Sequence, residues 1–101
     1  MTIYTESMKI EVEFLTLVYE LTRKLRVEIE LPNNATLLNL IRKIDEEVYP
    51  GFSKVILDCK NNVREKYLVL INGRSIDFLN GVNTRLADGD EVTFLPYCGV
   101  A

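Results

Sequence analysis

Few side chains in this sequence could do chemistry. There is no histidine, and the two cysteines are Cys59 and Cys98. Without an imidazole, the Ser–His and Cys–His pairs that activate nucleophiles are absent. Two lone cysteines make neither a zinc site nor the thiolate set of an iron–sulfur cluster, so no metal or other cofactor is indicated. A Cys59–Cys98 disulfide is disfavoured in a reducing cytosol. Asp88 and Asp90 resemble an acid–base pair, yet flanking Gly89 they are turn formers first. An independent enzyme therefore has no visible machinery. What remains is the stretch Leu95-Pro96-Tyr97-Cys98-Gly99-Val100-Ala101. A chain that runs off a strand into a projecting tail can use its terminal carboxylate as the functional group. Cys98 is a candidate reactive thiol there. The plainer reading is a small apolar residue beside the last strand, because no neighbouring cation would lower its pKa.

The elements that would position such a tail can be read along the chain. Met8, Ile10, Val12 and Phe14 alternate with Lys9, Glu11 and Glu13, the pattern of a half-buried strand. Residues 1–7 carry no period and read as a flexible lead-in to a single domain over 8–101, whose tail spans 96–101. Thr16 to Thr22 break the alternation and are expected as a loop. Leu25, Val27, Ile29 and Leu31 then alternate with Lys24, Arg26, Glu28 and Glu30, a second strand paired with the first as a hairpin. Thr36 is an N-cap for a helix carrying Leu37, Leu40, Ile41, Ile44 and Val48 on one face, ended by Pro50-Gly51. Phe52 to Leu57 reads as a short second helical turn, and Asp58 to Glu65 as a loop.

Tyr67 to Ile71 is continuously apolar, as in a strand covered on both faces or one short enough to mix them. Asn72-Gly73 is the strongest turn dipeptide, returning the chain through Arg74 to Ile76. Asp77 to Ala87 is irregular, with Leu86 expected to plug the core. Asp88-Gly89-Asp90 then turns into a final strand, Glu91 to Leu95. One helix on one face of a mixed sheet is an α+β arrangement. Lys9, Glu11, Glu13, Arg26, Glu28 and Glu30 would lie on the open, solvated face.

Bulk properties narrow the class. At 101 residues the chain is one domain, able to bury roughly two-thirds of its unfolded surface. A net charge of −3 without a basic run argues against nucleic acid or an anionic membrane as partner. No apolar run approaches the roughly 20 residues of a membrane span, and no signal-peptide order opens the chain. A cytoplasmic location is expected.

The C-terminal third carries a family resemblance. Asn72-Gly73, Leu86-Ala87-Asp88-Gly89-Asp90-Glu91-Val92 and Leu95-Pro96 follow, in order, the "VNG…L.DGDEV..FPPV.GG" pattern of MoaD/ThiS-like sulfur carriers. The resemblance implies a ubiquitin-like β-grasp fold with a four- to five-stranded mixed sheet, its first and last strands adjacent and parallel at the centre. It also implies a carrier rather than a catalyst. A partner adenylating (E1-like) enzyme would activate the tail carboxylate, sulfur transfer would make a thiocarboxylate, and a synthase subunit would accept the sulfur for molybdopterin-type cofactor, thiamine-type or thiolation chemistry. Partner contact is expected at Leu95, Pro96 and Tyr97, with Phe78 a weaker candidate.

The departure is the terminus. Gly99-Val100-Ala101 stands where the family has Gly-Gly, and Val100 is stiff where a tail must thread a channel. Trimming to Gly99 would restore a terminal glycine but leave the tail two residues short. The alternative reading is a β-grasp binding or regulatory module that has lost sulfur-transfer chemistry.

Overall fold

The computed structural model describes residues 7–97, and its first and last strands lie side by side. β1 (Ser7–Phe14) pairs antiparallel with β2 (Arg26–Pro32) and parallel with β5 (Glu91–Pro96). On its other side β5 pairs antiparallel with β3 (Tyr67–Ile71), which a hairpin joins to β4 (Arg74–Ser75). The five-stranded order is β2-β1-β5-β3-β4. This is the mixed β-grasp sheet that the C-terminal motifs imply.

Helices cover one face. Between β1 and β2 runs α1 (Leu17–Thr22), and after β2 come α2 (Leu37–Glu47) and α3 (Phe52–Ile56). Thr36 caps α2 as its sequence suggests. The Thr36 hydroxyl accepts from the Asn39 amide at 3.3 Å, and the Asn39 side chain accepts from the Thr36 amide at 2.8 Å. Leu37, Leu40, Ile41 and Ile44 are buried against Ile10, Val12, Ile29, Val69 and Val92 of the sheet, and Leu86 plugs the core from its loop. Asp45 accepts the Ser53 amide at 2.7 Å, fixing the start of α3 beside α2.

Three local expectations fail for physical reasons. The segment 16–22 is not a loop, because all of it after Thr16 winds into α1. Val18 and Thr22, four apart, are buried, and Arg23 closes the turn in the left-handed region by donating its amide to Tyr19 O. Leu21 packs partly against the core beside Val18 and Thr22, but Leu17 and Tyr19 are exposed, so apolar residues fall on both faces and blur the period. Leu25 does not join the apolar face of β2. The strand starts at Arg26 after a bend, and Leu25 stays 54% exposed while its carbonyl accepts the Phe14 amide. The return strand stops at Ser75 rather than Ile76. Ser75 Oγ accepts the Asp77 amide and draws Ile76–Phe78 into a 3₁₀ turn. At its start, β1 begins at Ser7, one residue ahead of the alternation.

The two sequence turns interlock. Asn72 and Gly73 both take positive φ, the shape of a tight two-residue hairpin. The Asn72 side chain donates to Asp90 Oδ1 and accepts the Glu91 amide, each at 2.9 Å. Asp90 Oδ2 accepts the Ala87 amide at 2.8 Å, and Asp88 Oδ1 accepts the Lys9 amide at 2.8 Å. Asp88 and Asp90 are thus structural, stitching β1, the β3–β4 turn and the start of β5 together. Asp90→Ala, which strands the Asn72 and Ala87 donors, is expected to cost about 1–2 kcal/mol in urea unfolding. A loss below experimental error would show that water replaces both bonds.

Candidate functional site

The site follows from how β5 is held. Phe94 stacks on Phe14 with ring centroids 5.9 Å apart and meets Phe52 edge-on at 5.2 Å, while Phe14 and Phe52 also meet edge-on at 5.6 Å. All three rings are fully buried. The last strand is therefore anchored one residue before Leu95. Beyond it the ladder to β3 runs to the end of the described chain, where the Tyr97 amide donates to Lys66 O at 2.8 Å. Because that bond alternates along the strand, Pro96 turns its nitrogen away from β3 and costs no hydrogen bond in this pairing. On the β1 side, Leu15 donates to Phe94 O, and the chain there then enters α1. A proline ends the strand where its neighbour has already left.

Leu95, Pro96 and Tyr97 come together at this exit. Leu95 is half-buried on the open face of the sheet, opposite Leu68 of β3. Tyr97 is 56% exposed. Leu70 lies two residues on, opposite Thr93, and is also half-buried. The unbroken apolar run of β3 is thus a strand of mixed faces. Val69 and Ile71 enter the core, while Leu68 and Leu70 form with Leu95 an apolar strip that no helix among the described residues covers. Sequence reading passed over Leu68 and Leu70, although a fifth consecutive apolar residue beside a solvated sheet face was the available signal. Phe78 does not join them. It is 82% exposed on the 3₁₀ turn after β4, with β3 between it and β5.

Tyr97 also lines a groove of about 340 Å³ with Val63, Arg64, Tyr67, Leu68 and Ile76. It opens beside β3 where the two-residue β4 ends, and the Lys66 ammonium sits 5.6 Å from the Tyr67 ring centre. The opposite half of the open face is ionic. Arg26 bridges Glu11 at 3.2 Å and Glu13 at 3.4 Å, and the register sets Glu28 and Glu91 on either side of Glu11.

Cys98, Gly99, Val100 and Ala101 lie outside the described residues. Cys59 is an exposed free thiol in the loop after α3. Among the described residues, no three acidic, cysteine or histidine side chains are grouped to hold a metal ion, and no helix is long and apolar enough to cross a membrane. Two ionisable groups are displaced from their ordinary values. The amides of Asn62 and Lys60 hold the Asp58 carboxyl below its usual range, and hydrogen bonding to Glu47 raises Lys43. Neither residue is on the open sheet face or lines the groove that Tyr97 shares. Among the described residues, the exit offers an apolar strip and a groove beside the last strand.

Comparisons agree with that geometry. The model of the ThiS family matches residues 12–99. Among solved structures, the Haloferax volcanii HVO 2177 protein superposes with a TM-score of 0.77 at 26% identity, over 92% of this chain and 88% of that one. CysO of Mycobacterium tuberculosis, described as an antigen, gives 0.72 at 26% identity, over 86% and 97%. The Amycolatopsis orientalis BexX/CysO complex gives 0.73 over 91% and 99%, and at 22% identity it speaks for the fold alone. No match is found among curated protein sequences.

Adjacent residues of β5 are expected to respond very differently to truncation. Phe94→Ala should cost about 3–5 kcal/mol by opening the aromatic cluster. Leu95→Ala, on the uncovered face, should cost about 1 kcal/mol. Urea denaturation of the two variants measures both, and equal losses would make Leu95 a core residue.

Proposed function

This chain belongs to the ThiS family of MoaD/ThiS-like ubiquitin-fold carriers, and from that premise we propose that it is a cytoplasmic sulfur carrier working through its C-terminal carboxylate. The observation that carries the reading is the delivery of the chain end. A central strand, anchored by Phe94 and paired on both sides, brings the backbone to an exposed Tyr97 beside an apolar strip and a groove. A rigid sheet ending in a presented tail is what a partner needs if the tail is to enter that partner's active site while the domain stays outside.

On this reading the carrier supplies no acid, base or nucleophile of its own beyond the tail carboxylate. Its partner adenylating (E1-like) enzyme would let a carboxylate oxygen attack the α-phosphorus of ATP, expelling pyrophosphate. A sulfide donor would then displace AMP from the acyl carbon and leave a thiocarboxylate directly. A persulfide donor would instead leave an acyl disulfide that a second thiol of the donor must cleave, taking up the donor sulfur as a disulfide and releasing the thiocarboxylate. A synthase subunit would take that sulfur for molybdopterin-type or related chemistry. Leu95, Pro96 and Tyr97 would bind the partner, with Leu68 and Leu70 added to their strip and Phe78 left aside. Cys98 would act at most as a neighbouring thiol, since the carboxylate alone completes the chemistry.

A second reading has one observation in its favour. Val100 and Ala101 stand where the family pattern has two glycines, and β-branched Val100 widens the tail. A binding module that docks through the same strip without sulfur transfer would tolerate that change.

Intact mass of the full chain, after incubation with the host's adenylating enzyme, ATP and a sulfur donor, separates the two. The carrier reading expects a gain of one oxygen-to-sulfur exchange at Ala101, or at Gly99 if trimming comes first. No gain, beside a working control carrier, supports the binding module. In the same system Leu95→Ala should weaken partner affinity about tenfold, near 1.4 kcal/mol, more than its loss of stability. Unchanged affinity would remove Leu95 from the interface.

A further inference from the structure

A second concave site lies around the corner from the tail exit, on the side of α2 and α3. It is a pocket of about 440 Å³ lined by Arg42, Lys54, Leu57, Asp58, Asn61 and Arg64, among others. Three cations converge here in a chain whose net charge is −3. Among the described residues none of the three forms an ion pair, although Arg26 and Lys43 elsewhere find carboxylates.

The local structure explains why these charges stay available. The Asp45–Ser53 hydrogen bond fixes α3 against α2, and Arg42 lies three residues before Asp45, as Lys54 lies one after Ser53. Among the described residues, Asp58, the carboxylate within the pocket, is tied to its own loop and offsets part of the Arg64 charge without forming an ion pair. Its Oδ1 accepts the amides of Lys60 at 2.8 Å and Asn62 at 3.1 Å, closing the loop on itself. The Arg64 amide donates to Ile56 O at 2.8 Å, and its guanidinium to Lys54 O at 3.3 Å, which holds that side chain at the rim. Arg64 also lines the groove that contains Tyr97. The basic pocket and the exit groove therefore share a wall.

We propose that the pocket ringed by Arg42, Lys54 and Arg64 docks an acidic segment of the protein partner that handles the tail. The proposal rests on the carrier reading for the identity of that partner. The lining chooses the ligand class. No aromatic ring lines it to stack a base, and Leu57 is its main apolar residue, so a nucleotide has little to rest on. Several long, solvent-reaching cations suit a run of carboxylates instead. The rest of the surface favours the same orientation. Glu28, Glu11 and Glu91 lie in one row on the ionic half of the open face, so the partner's acidic segment is repelled from that half and drawn to the pocket while the apolar strip stays free for the rest of the partner.

The test titrates the ¹⁵N-labelled full chain with hexaglutamate at low ionic strength, and in parallel with inorganic phosphate. Expected are amide shifts centred on residues 53–64, lost as salt rises. R42E/K54E should weaken binding about tenfold or more while keeping a dispersed spectrum, and R42Q/K54Q should give a smaller loss in the same direction if the reversal disturbs folding. Shifts centred elsewhere, no shifts, or phosphate binding here more tightly than the peptide would overturn the proposal. In the sulfur-transfer assay, R42E/K54E should raise the KM of the adenylating enzyme for the carrier with kcat retained. An unchanged KM with normal thiocarboxylation would overturn the docking role and leave the carrier reading intact. Failure of the unaltered chain to gain sulfur would sink the carrier reading, and the peptide titration then decides the pocket alone.

Discussion

The parallel pairing of β1 with β5 is the constraint on which the other features depend. It joins the two ends of the described chain, so its loop-closure cost falls due before the intervening residues can pack. Phe14 and Phe94 face each other across that pairing, and Phe52 of α3 closes on both rings. A cluster of three fully buried rings repays a long closure with large apolar area and edge-to-face geometry. The same pairing puts the C-terminal strand at the centre of the sheet. A chain end leaving from an edge strand would move with the edge, whereas β5 is gripped from both sides.

The sheet's two faces have different work. The helical face is filled by α2 and α3 and is uniformly apolar. The open face is divided lengthwise. Its β1–β2 half carries the Arg26 bridges, which at their exposure are worth well under 1 kcal/mol each and matter more for solubility than for stability. Its β3–β5 half carries Leu68, Leu70 and Leu95, half-buried and left uncovered by the helices among the described residues. An acidic half beside an apolar half is poor design for a purely structural sheet. It makes sense for a surface that must recognise one orientation of a partner.

Much of this was legible in residue order. The alternation over Met8–Phe14, the Thr36 cap, the Asn72-Gly73 turn and the Asp-Gly-Asp turn each report a local backbone demand, and local demands are what sequence periodicity records. The joining of those two turns through Asn72 and Asp90 was not legible, because it is a contact between segments far apart in sequence. Nor was α1, where exposed Leu17 and Tyr19 mask the inward spacing of Val18, Leu21 and Thr22. The apolar strip was half visible. YLVLI announced an excess of apolar residues but not that Leu68 and Leu70 would lack a cover. The meeting of Arg42, Lys54 and Arg64 had no sequence signal at all, since they come from two helices and a loop and no basic run exists.

The departure at Val100-Ala101 changes character once the anchoring of β5 is known. The fold holds the backbone through the Tyr97 amide, and the core that stabilises it lies at Phe94 and inward. On the carrier reading, the cost of a β-branched residue near the terminus therefore falls on the partner's channel rather than on the carrier's stability. Such a cost can be met only by a channel wide enough for Val100 or by stronger docking elsewhere, because binding energy gained away from the reacting atoms can offset a poorer fit at them. The uncovered strip at Leu68, Leu70 and Leu95 supplies a place for that binding, directly beside the point where the tail departs.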